Sequence, residues 1–416
     1  MCADFTRAPA ETSVTPRLSS TEDHVGPEHF AGLLRDGATG TRLLRAARAV
    51  ELPNTQLPTA RQGLIERAMA RVQLQCARPA DQDEGTKLAP ETVRVIVHTT
   101  PAVRLEIRVP SELGDSNGFR RLALQHGPKF FGSLPRFFML VVALADMILS
   151  NEGLFCECIS NELGELPERL SFSASWGDVS RDRHAISYGR LGSRSNPLIP
   201  DVYFYQSDAY SNWKHLSRTD GKCWSDRRQQ IVWRGATTGA HFSPENMFGN
   251  KRIKLVHICA EHPDLFDAKI YKVASQSIGP EVRAAADLLA AKGMLAKPML
   301  PQAFRDYRYS IDIDGNSNAW GFFEKLSLGL CVLKVASPFE QWFYNDLKPW
   351  VHYVPVAGDL SDLVEVAREI RANSDAGERI ADAAAAFAYE ISVESASAKL
   401  CRDIAAWVSA ERMPGA

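Results

Sequence analysis

The sequence has 416 residues, of which 45% are hydrophobic and 24% are charged, and its formal net charge is −2 at pH 7. This is the composition of an ordinary globular chain with room for two domains. Because the charge is nearly balanced, the sequence predicts neither a nucleic-acid-binding protein nor one held to a membrane by surface charge.

Several features of the sequence favour a cytoplasmic location. Residues 1–27 are polar and rich in Pro, Ser, Thr and Glu, so they are predicted to form a mobile tail, without the basic and apolar regions of a signal peptide. The longest apolar run, residues 137–145, is too short to cross a bilayer. Eight cysteines are scattered without pairing spacing, which is typical of reduced thiols. We therefore expect a cytoplasmic protein whose membrane contact is limited to the periphery of the inner membrane.

The first half of the chain is predicted to be a mixture of helices and strands. Apolar spacing indicates a helix, two strands, a second helix and a third strand over residues 59–76, 93–98, 103–109, 133–149 and 170–176. The second helix is capped by Ser133. The third strand ends at Gly177 and is followed at once by Asp178. A carboxylate at a strand end is where α/β proteins place reactive groups, and it is also a common Asx-turn or helix cap. Residue chemistry alone favours the turn or cap.

The second half opens with an apolar strand over residues 231–233 that ends at Arg234 and Gly235. An arginine after a strand is usually a solvated surface charge, but a guanidinium also binds phosphate in a bidentate manner. Thr237 and Thr238 add hydroxyl donors nearby. The polar stretch 239–250 is predicted to link two domains.

The most informative stretch is residues 309–335. A strand ending at Ile313 is predicted to lead through Asp314 into a tight turn at Gly315 and Asn316, and Ser317 then caps a helix. A further apolar strand covers residues 331–335, which completes a βαβ unit. The helix N-terminus would then lie at the carboxyl end of the first strand, where N–H groups and the helix dipole attract phosphate. The sequence therefore predicts a nucleotide-diphosphate site here.

Two arrangements could hold that diphosphate. The D-x-D pair Asp312 and Asp314 could bind a divalent cation, as in many sugar transferases. Alternatively, Arg234, the helix beginning near Ser317 and Lys325 could supply positive charge and N–H donors without a metal. We expect the second arrangement and no cofactor, and the metal-dependent one stays open.

Three runs in this half resemble glycosyltransferase family 90: IDIDGNSNAW, EKLSLGLCVLKV and LKPWVHYVPVAGDLSDL. The resemblance extends over residues 166–362, and the form SNAWGFFEKL is similar to bacterial members. It implies a GT-B enzyme that transfers glucose or xylose from a UDP-sugar with inversion. It also implies that Asp178 is the catalytic base and that Arg234 contacts the donor phosphates. Animal members have an arginine in the helix that corresponds to residues 320–323. In this chain the first basic residue of that helix is Lys325, so Lys325 is the candidate replacement.

The expected architecture is α/β and GT-B-like, with two Rossmann-like domains facing a central cleft and with C-terminal helices. The predicted segments are the tail at 1–27, an acceptor-side domain at 28–240, a nucleotide-sugar-binding domain at 241–390 and a C-terminal helix at 391–416. The residues expected to bind the donor are Arg234, Gly235, Thr238, Asp314, Gly315, Ser317, Asn318 and Lys325.

The resemblance, together with the expected cytoplasmic location, implies an enzyme that uses a UDP-sugar as donor and a glycan hydroxyl, in lipopolysaccharide core or capsule, as acceptor. No nucleic-acid partner is expected. The alternatives are a protein O-glycosyltransferase and a non-catalytic relative that binds nucleotide sugars. Since both Asp178 and Arg234 are present, the enzyme is favoured over the non-catalytic relative.

Overall fold

The structure, a computed structural model, describes residues 32–33, 37–49, 57, 59–76, 91–110, 128–180, 182, 184–240, 242–273 and 280–412. The tail expected at residues 1–27 lies outside the described residues.

The first half of the chain forms a five-stranded mixed sheet. Its strands are β1 (Val72–Cys76), β2 (Thr92–His98), β3 (Arg104–Val109), β4 (Arg169–Ser175) and β5 (Ala185–Ile186), in the order β1-β3-β2-β4-β5. The central strand β2 is antiparallel to both β3 and β4, whereas the outer pairs are parallel. A Rossmann-like domain has a mostly parallel sheet, so the expectation of a Rossmann-like first domain was wrong.

In the described part of this half, four helices accompany the sheet: α1 (Gly40–Ala49), α2 (Gln62–Met69), α3 (Pro128–Leu149) and α4 (Glu152–Leu163). The helix predicted over residues 59–76 was correct only in its middle, because a short 3-10 turn precedes α2 and residues 72–76 form β1. The helix predicted from Ser133 begins earlier, at Pro128. Among the described residues no single helix is long and apolar enough to cross a bilayer, although the bent pair Arg136–Leu149 and Glu152–Leu163 meets that test by length and composition.

A connecting region leads from the first sheet to the second. It contains β6 (Arg190–Leu191) and the short helices α5 (Val202–Gln206) and α6 (Ser211–Thr219). Asp201 caps α5, since its carboxylate accepts hydrogen bonds from the backbone N–H groups of Tyr203 and Phe204.

The second half forms a five-stranded sheet in which every pair of neighbouring strands is parallel. Its strands are β7 (Arg228–Ala236), β8 (Phe266–Lys272), β9 (Tyr307–Asp312), β10 (Cys331–Val335) and β12 (Val354–Val356), and β11 (Phe339–Glu340) pairs with β6 outside it. The order is β8-β7-β9-β10-β12, which is the 2-1-3-4-5 order of a doubly wound sheet. In that topology the direction of winding reverses between β7 and β9, and ligands bind beyond the carboxyl ends of those two strands.

The helices of this half are α7 (Lys251–Ala260), α8 (Pro280–Ala291), α9 (Phe322–Ser327) and α10 (Leu363–Ala372), followed by α11 (Ser374–Glu390) and α12 (Val393–Arg412). Both β9 and β10 are buried along their whole length, as expected for parallel strands covered on both faces. The boundary expected at residue 240 was misplaced, because it leaves β7 with the first domain although β7 pairs with β8 and β9.

One apolar core spans the two halves of the chain. The cluster beneath the first sheet includes Phe322 and Phe323 of α9, and also Leu400 and Ile404 of α12. Phe204 of α5 packs edge-on against Phe323, with ring centroids 5.3 Å apart. The last helix therefore returns to the first half of the chain, and α9 is held by residues from both halves.

Candidate functional site

A cleft of about 660 Å³ opens at the carboxyl ends of β7 and β9. It lies where the winding of the second sheet reverses, and residues of the first half close its other side. The predicted site residues that line it are Asp178, Arg234, Gly235, Thr238, Gly315, Ser317, Asn318 and Lys325. The structure thus brings together residues that are up to 147 positions apart in the chain.

Arg252, in the first turn of α7, ties together the two loops at the base of the cleft. Its guanidinium donates to the carbonyl oxygens of Ala236, Ile313 and Asp314 at 3.1, 3.0 and 3.1 Å, and to the Thr238 hydroxyl at 2.7 Å. No carboxylate of the described residues forms an ion pair with it. Burial lowers the pKa of Arg252, although the nearby charges of Asp312 and Asp314 partly oppose this by raising it. Arg252 therefore places a positive charge, bonded to neutral groups, directly under the loops.

The two loops approach so closely that glycine is required at position 315. A Cβ there would lie 2.3 Å from the Thr238 hydroxyl oxygen and 3.1 Å from the Arg252 guanidinium. The Gly239 N–H donates to the Asn316 side chain at 2.8 Å. The loop after β7 and the loop after β9 therefore form one rigid unit, with Thr238, Gly315 and Ser317 facing the cleft.

The loop after β9 differs from the predicted helix start. Ser317 does not cap a helix, because α9 begins at Phe322 and has no side-chain cap. Asp314 instead accepts a hydrogen bond from the Ala319 N–H at 2.9 Å and another from the Ser337 hydroxyl. These bonds hold residues 314–319 in an irregular turn. Asp314 therefore shapes the loop from behind and is not among the residues lining the cleft.

The two basic residues predicted for the phosphate site both have acidic partners. Arg234 donates to the carboxylate of Asp267 at 2.7 Å and to its carbonyl oxygen at 2.6 Å. Lys325 donates to Asp312 at 2.7 Å, and Lys334 donates to the other oxygen of Asp312 at 3.0 Å. Burial opposes ionisation of Asp312, but the two lysines outweigh it and hold the pKa of this carboxyl below its usual value. Both Arg234 and Lys325 still line the cleft.

Asp178 lies on the opposite side, just beyond the end of β4. Arg136 of α3 forms an ion pair with it at 2.5 Å, and its side chain is 33% exposed. Arg136 and Tyr203 line the cleft beside it. Asp178 is therefore oriented by a cation and accessible from the cleft, as a proton-accepting carboxylate must be.

The two sides of the cleft meet at Gly189. A Cβ on Gly189 would lie 2.5 Å from Oδ1 of Asn318 and 2.9 Å from the carbonyl oxygen of Asp178. Asn318, in the loop after β9, and the carbonyl group of Asp178 therefore both approach Gly189.

Three charged cleft residues were missed from the sequence: Arg136, Arg252 and Glu324. Arg252 had a visible signal, since Asn250 two positions earlier is a good N-cap and it does cap α7. Arg136 and Glu324 had none, because only the tertiary fold directs them into the cleft. The described residues contain no cluster of three or more side chains suited to binding a metal.

Comparison with known proteins finds a family match for part of the chain. Residues 200–396 match the model of glycosyl transferase family 90. The matched region is slightly less than half of the chain and is similar to that family. Two of the most similar curated proteins are the uncharacterized protein 027R of Frog virus 3, 34% identical over 173 residues, and protein O-glucosyltransferase 3 of Rattus norvegicus, 29% identical over 167 residues.

These similarities are partial. They cover 38% and 39% of this chain, and they span only 18% of the viral protein and 28% of the rat protein. A further similarity is to a solved structure titled Anabaena Alr3699/HepE in complex with UDP-glucose. The alignment covers 47% of this chain and 52% of that protein, with a TM-score of 0.31 and 14% identity. Neither fold nor function follows from so low a score. The family region includes β7 to α11 and hence the loops after β7 and β9, whereas Asp178 precedes it.

Proposed function

We propose that the protein is a glycosyltransferase that moves a sugar from a UDP-sugar to an acceptor hydroxyl with inversion, in a GT-B-like cleft between its two halves. The observation that carries this proposal is the convergence of Asp178 and the loops after β7 and β9 on one cleft. The match of residues 200–396 to the model of glycosyl transferase family 90 supports the reaction class.

In the proposed reaction, the diphosphate of the donor binds over Gly315. Thr238 and Ser317 offer hydroxyl donors there, and Arg252 offers a guanidinium charge beneath them. Preorganised donors of this kind stabilise the charge that develops on a leaving diphosphate. Arg234 and Lys325 lie close enough to contribute, in exchange for part of their present contacts with Asp267 and Asp312.

Asp178 takes the role of general base. It accepts the proton of the acceptor hydroxyl while that oxygen attacks the anomeric carbon and the bond to the diphosphate breaks. Inversion requires attack from the side opposite the leaving group. The position of Asp178 beyond β4, in the half of the chain across the cleft from the loops after β7 and β9, supports this role.

No divalent metal is part of this proposal. Asp312 is fully buried and already bonded to Lys325 and Lys334, and Asp314 is bonded to Ala319 and Ser337. Both carboxylates of the D-x-D pair are therefore engaged within the protein. This supports a diphosphate site built from Arg252 and hydroxyl groups rather than from a bound cation.

We propose glucose or xylose as the transferred sugar and a glycan of the lipopolysaccharide core or capsule as the acceptor, on the cytoplasmic side of the inner membrane. Six of the described cysteines carry free thiols, namely Cys156, Cys158, Cys223, Cys259, Cys331 and Cys401, which suits a reducing compartment. A protein hydroxyl is the second candidate acceptor, because the matched relatives include protein O-glucosyltransferases from several mammals.

The direct test uses purified protein with a panel of UDP-sugars and extract from its host as acceptor. We expect one UDP-sugar to be consumed and its sugar to appear in a glycan fraction, in the presence of EDTA. Binding of UDP without turnover of any donor would favour the non-catalytic relative. Label in protein rather than glycan would favour the second acceptor, and activity that EDTA abolishes and Mn²⁺ restores would favour the metal-dependent site.

A further inference from the structure

Asn318 is a polar side chain of the cleft that has no partner within the described part of the protein. Asn318 is only 4% exposed, and neither its amide nitrogen nor its amide oxygen forms a hydrogen bond. Glu324 is the third residue of α9, and the neighbouring Lys325 bonds Asp312 rather than Glu324. Both residues line the cleft.

This arrangement is costly unless a ligand completes it. A buried polar group without a partner costs about 1–3 kcal/mol, and folded proteins keep few of them. Most other polar groups of the neighbouring loops are satisfied: Asp314, Asn316 and Arg252 all have partners at hydrogen-bond distance. Burial also raises the pKa of Glu324, against the attraction of Lys325. The unsatisfied amide of Asn318 is therefore a local exception in a well-bonded site.

Their position corresponds to one part of the donor. Asn318 directly follows Ser317 of the proposed diphosphate site, and its Oδ1 lies beside the Gly189 backbone that contacts Asp178. In a single displacement, the transferred sugar occupies the space between the leaving diphosphate and the base. Glu324 borders the same cleft from α9.

We propose that Asn318 and Glu324 bind hydroxyl groups of the transferred sugar and so determine which sugar the protein accepts. A sugar hydroxyl can both donate and accept a hydrogen bond. The Glu324 carboxylate is an acceptor, and the Asn318 amide offers a donor and an acceptor. A site built to bond a hydroxyl rejects an analogue that lacks it, because the buried groups then stay unpaired. This inference rests on the proposed function, since it assumes a UDP-sugar in the cleft.

The test compares the affinities for UDP and for a UDP-sugar by calorimetry. The donor is the UDP-sugar consumed by the wild type, and the variants are Glu324→Gln, which keeps the side-chain size, and Asn318→Ala. We expect each variant to bind UDP within about twofold of wild type but to bind the UDP-sugar roughly 10- to 100-fold more weakly, the range for losing a hydrogen bond to a charged or buried group. The matched control is Glu365→Gln, at an exposed position of α10, which should change neither affinity.

A second measurement identifies the contacted hydroxyl. Monodeoxy analogues of the UDP-sugar should bind wild type about tenfold more weakly when the missing hydroxyl is the one that Glu324 bonds. Glu324→Gln should show little further loss with that analogue, because the interaction is already absent. If the loss of affinity caused by Glu324→Gln adds in full to the loss caused by the missing hydroxyl for every analogue, the assignment is wrong.

Other outcomes separate this inference from the proposed function. If wild type binds UDP and turns over the donor, but both variants bind UDP and UDP-sugar as wild type does, only the sugar-binding role is wrong. If the variants lose UDP and UDP-sugar equally, Asn318 and Glu324 have a structural role and the inference is again wrong. If wild type does not bind UDP at all, the proposed function fails and this inference fails with it.

Discussion

The individual charges of the cleft differ in whether a carboxylate already neutralises them. Arg234 has Asp267 within 2.7 Å, whereas Arg252 donates only to carbonyl oxygens and to one hydroxyl. An incoming diphosphate must compete with Asp267 for Arg234. It meets no carboxylate competitor at Arg252. The residue that the sequence singled out is therefore the weaker candidate for electrostatic attraction.

This difference predicts an order of effects on UDP binding. Arg252→Gln should weaken UDP binding by about 1.5–3 kcal/mol, the range for hydrogen bonds to a charged group, and Arg234→Gln should weaken it less. Calorimetric titration of both variants with UDP provides the measurement, after circular dichroism has established that each is folded. A larger loss in Arg234→Gln would reverse the assignment and restore Arg234 as the main phosphate contact.

Asp178 is predicted to affect turnover rather than donor binding. A positioned general base contributes about 100- to 10,000-fold to a reaction, so Asp178→Asn should lower kcat on that scale while UDP affinity stays within about twofold. Steady-state kinetics and UDP calorimetry on the same preparation measure both quantities. Asp346→Asn, at an exposed position outside the cleft, is the control. An Asp178→Asn variant with nearly normal kcat would exclude Asp178 as the base.

Asp201 is predicted to make stability depend on pH. Burial raises its pKa to about 6, although backbone N–H groups of α5 partly oppose this, and one of its oxygens has no partner. The folded state therefore holds a proton between pH 4 and 6 that the unfolded state releases. Stability must fall as pH rises through that window, and the loss is complete above it.

The variant Asp201→Asn retains a capping side chain and removes this titration. We expect the free energy of unfolding of wild type, relative to the variant, to drop by about 1–3 kcal/mol between pH 4 and pH 7.5. Denaturant unfolding at several pH values measures it, with Asp346→Asn as the reference substitution. A difference that is constant across this pH range would show that the Asp201 carboxyl titrates in the folded protein as it does in the unfolded chain.

At the scale of elements, the sequence predicted β9 and β10 correctly because their apolar runs are bounded by turn residues. The start of α9 was predicted wrongly because Ser317 is a good N-cap by residue type. In the structure the Ala319 N–H donates to the Asp314 carboxylate, and the helix begins only at Phe322. Similarly, β1 was taken for the end of a helix. Its residues satisfy helical spacing, and only pairing with β3 makes them a strand.

The contact between α9, β9 and β10 depends on one buried carboxylate. Asp312 on β9 is fully buried and bonds Lys325 of α9 and Lys334 of β10. Asp312→Asn leaves two lysines without their shared counter-charge, and breaking a buried pair costs about 3–5 kcal/mol. Because the pKa of Asp312 is lowered, its contribution is present at neutral pH and is lost as pH falls below the ordinary aspartate value of about 3.9.

The control is the exposed pair of Lys222 and Asp306, whose side chains are 43% and 44% exposed. Asp306→Asn should cost at most about 1 kcal/mol. Chemical unfolding at pH 7 compares the two variants, and we expect their difference to narrow at pH 3. Equal stabilities at pH 7 would mean that the Asp312 pair adds no more than a surface pair does.

At the scale of the whole molecule, the sequence could identify candidate residues within each half but not the contacts between halves. The pairing of Asp178 with Arg136, and the approach of Asn318 to Gly189, join segments that are distant in the chain. No local periodicity records such contacts, because they depend on how two sheets and their helices pack. For the same reason the boundary at residue 240 was misplaced: β7 looks like any apolar strand until its parallel neighbours are known.

The last helix connects the two halves and provides the final prediction. α12 follows the second sheet but packs against α3 and α4 of the first half, and Arg61 bonds both Asp146 of α3 and Glu394 of α12. Ile404 is fully buried in the core that also contains Phe323 of α9. Loosening α12 should therefore destabilise the cleft as well as the first half.

Ile404→Ala should lower the free energy of unfolding by about 2–5 kcal/mol, the cost of a large-to-small change in a core. Arg402→Ala, at an exposed position of the same helix, should change it by less than about 0.5 kcal/mol. Denaturant titrations of wild type and Ile404→Ala are followed by far-ultraviolet circular dichroism and by UDP binding. The midpoints of both signals should move by the same amount, because α9 belongs to the same core as Ile404. If UDP binding keeps its wild-type midpoint while the circular dichroism transition moves, the second sheet and its loops unfold independently of the first half, and α12 does not couple them.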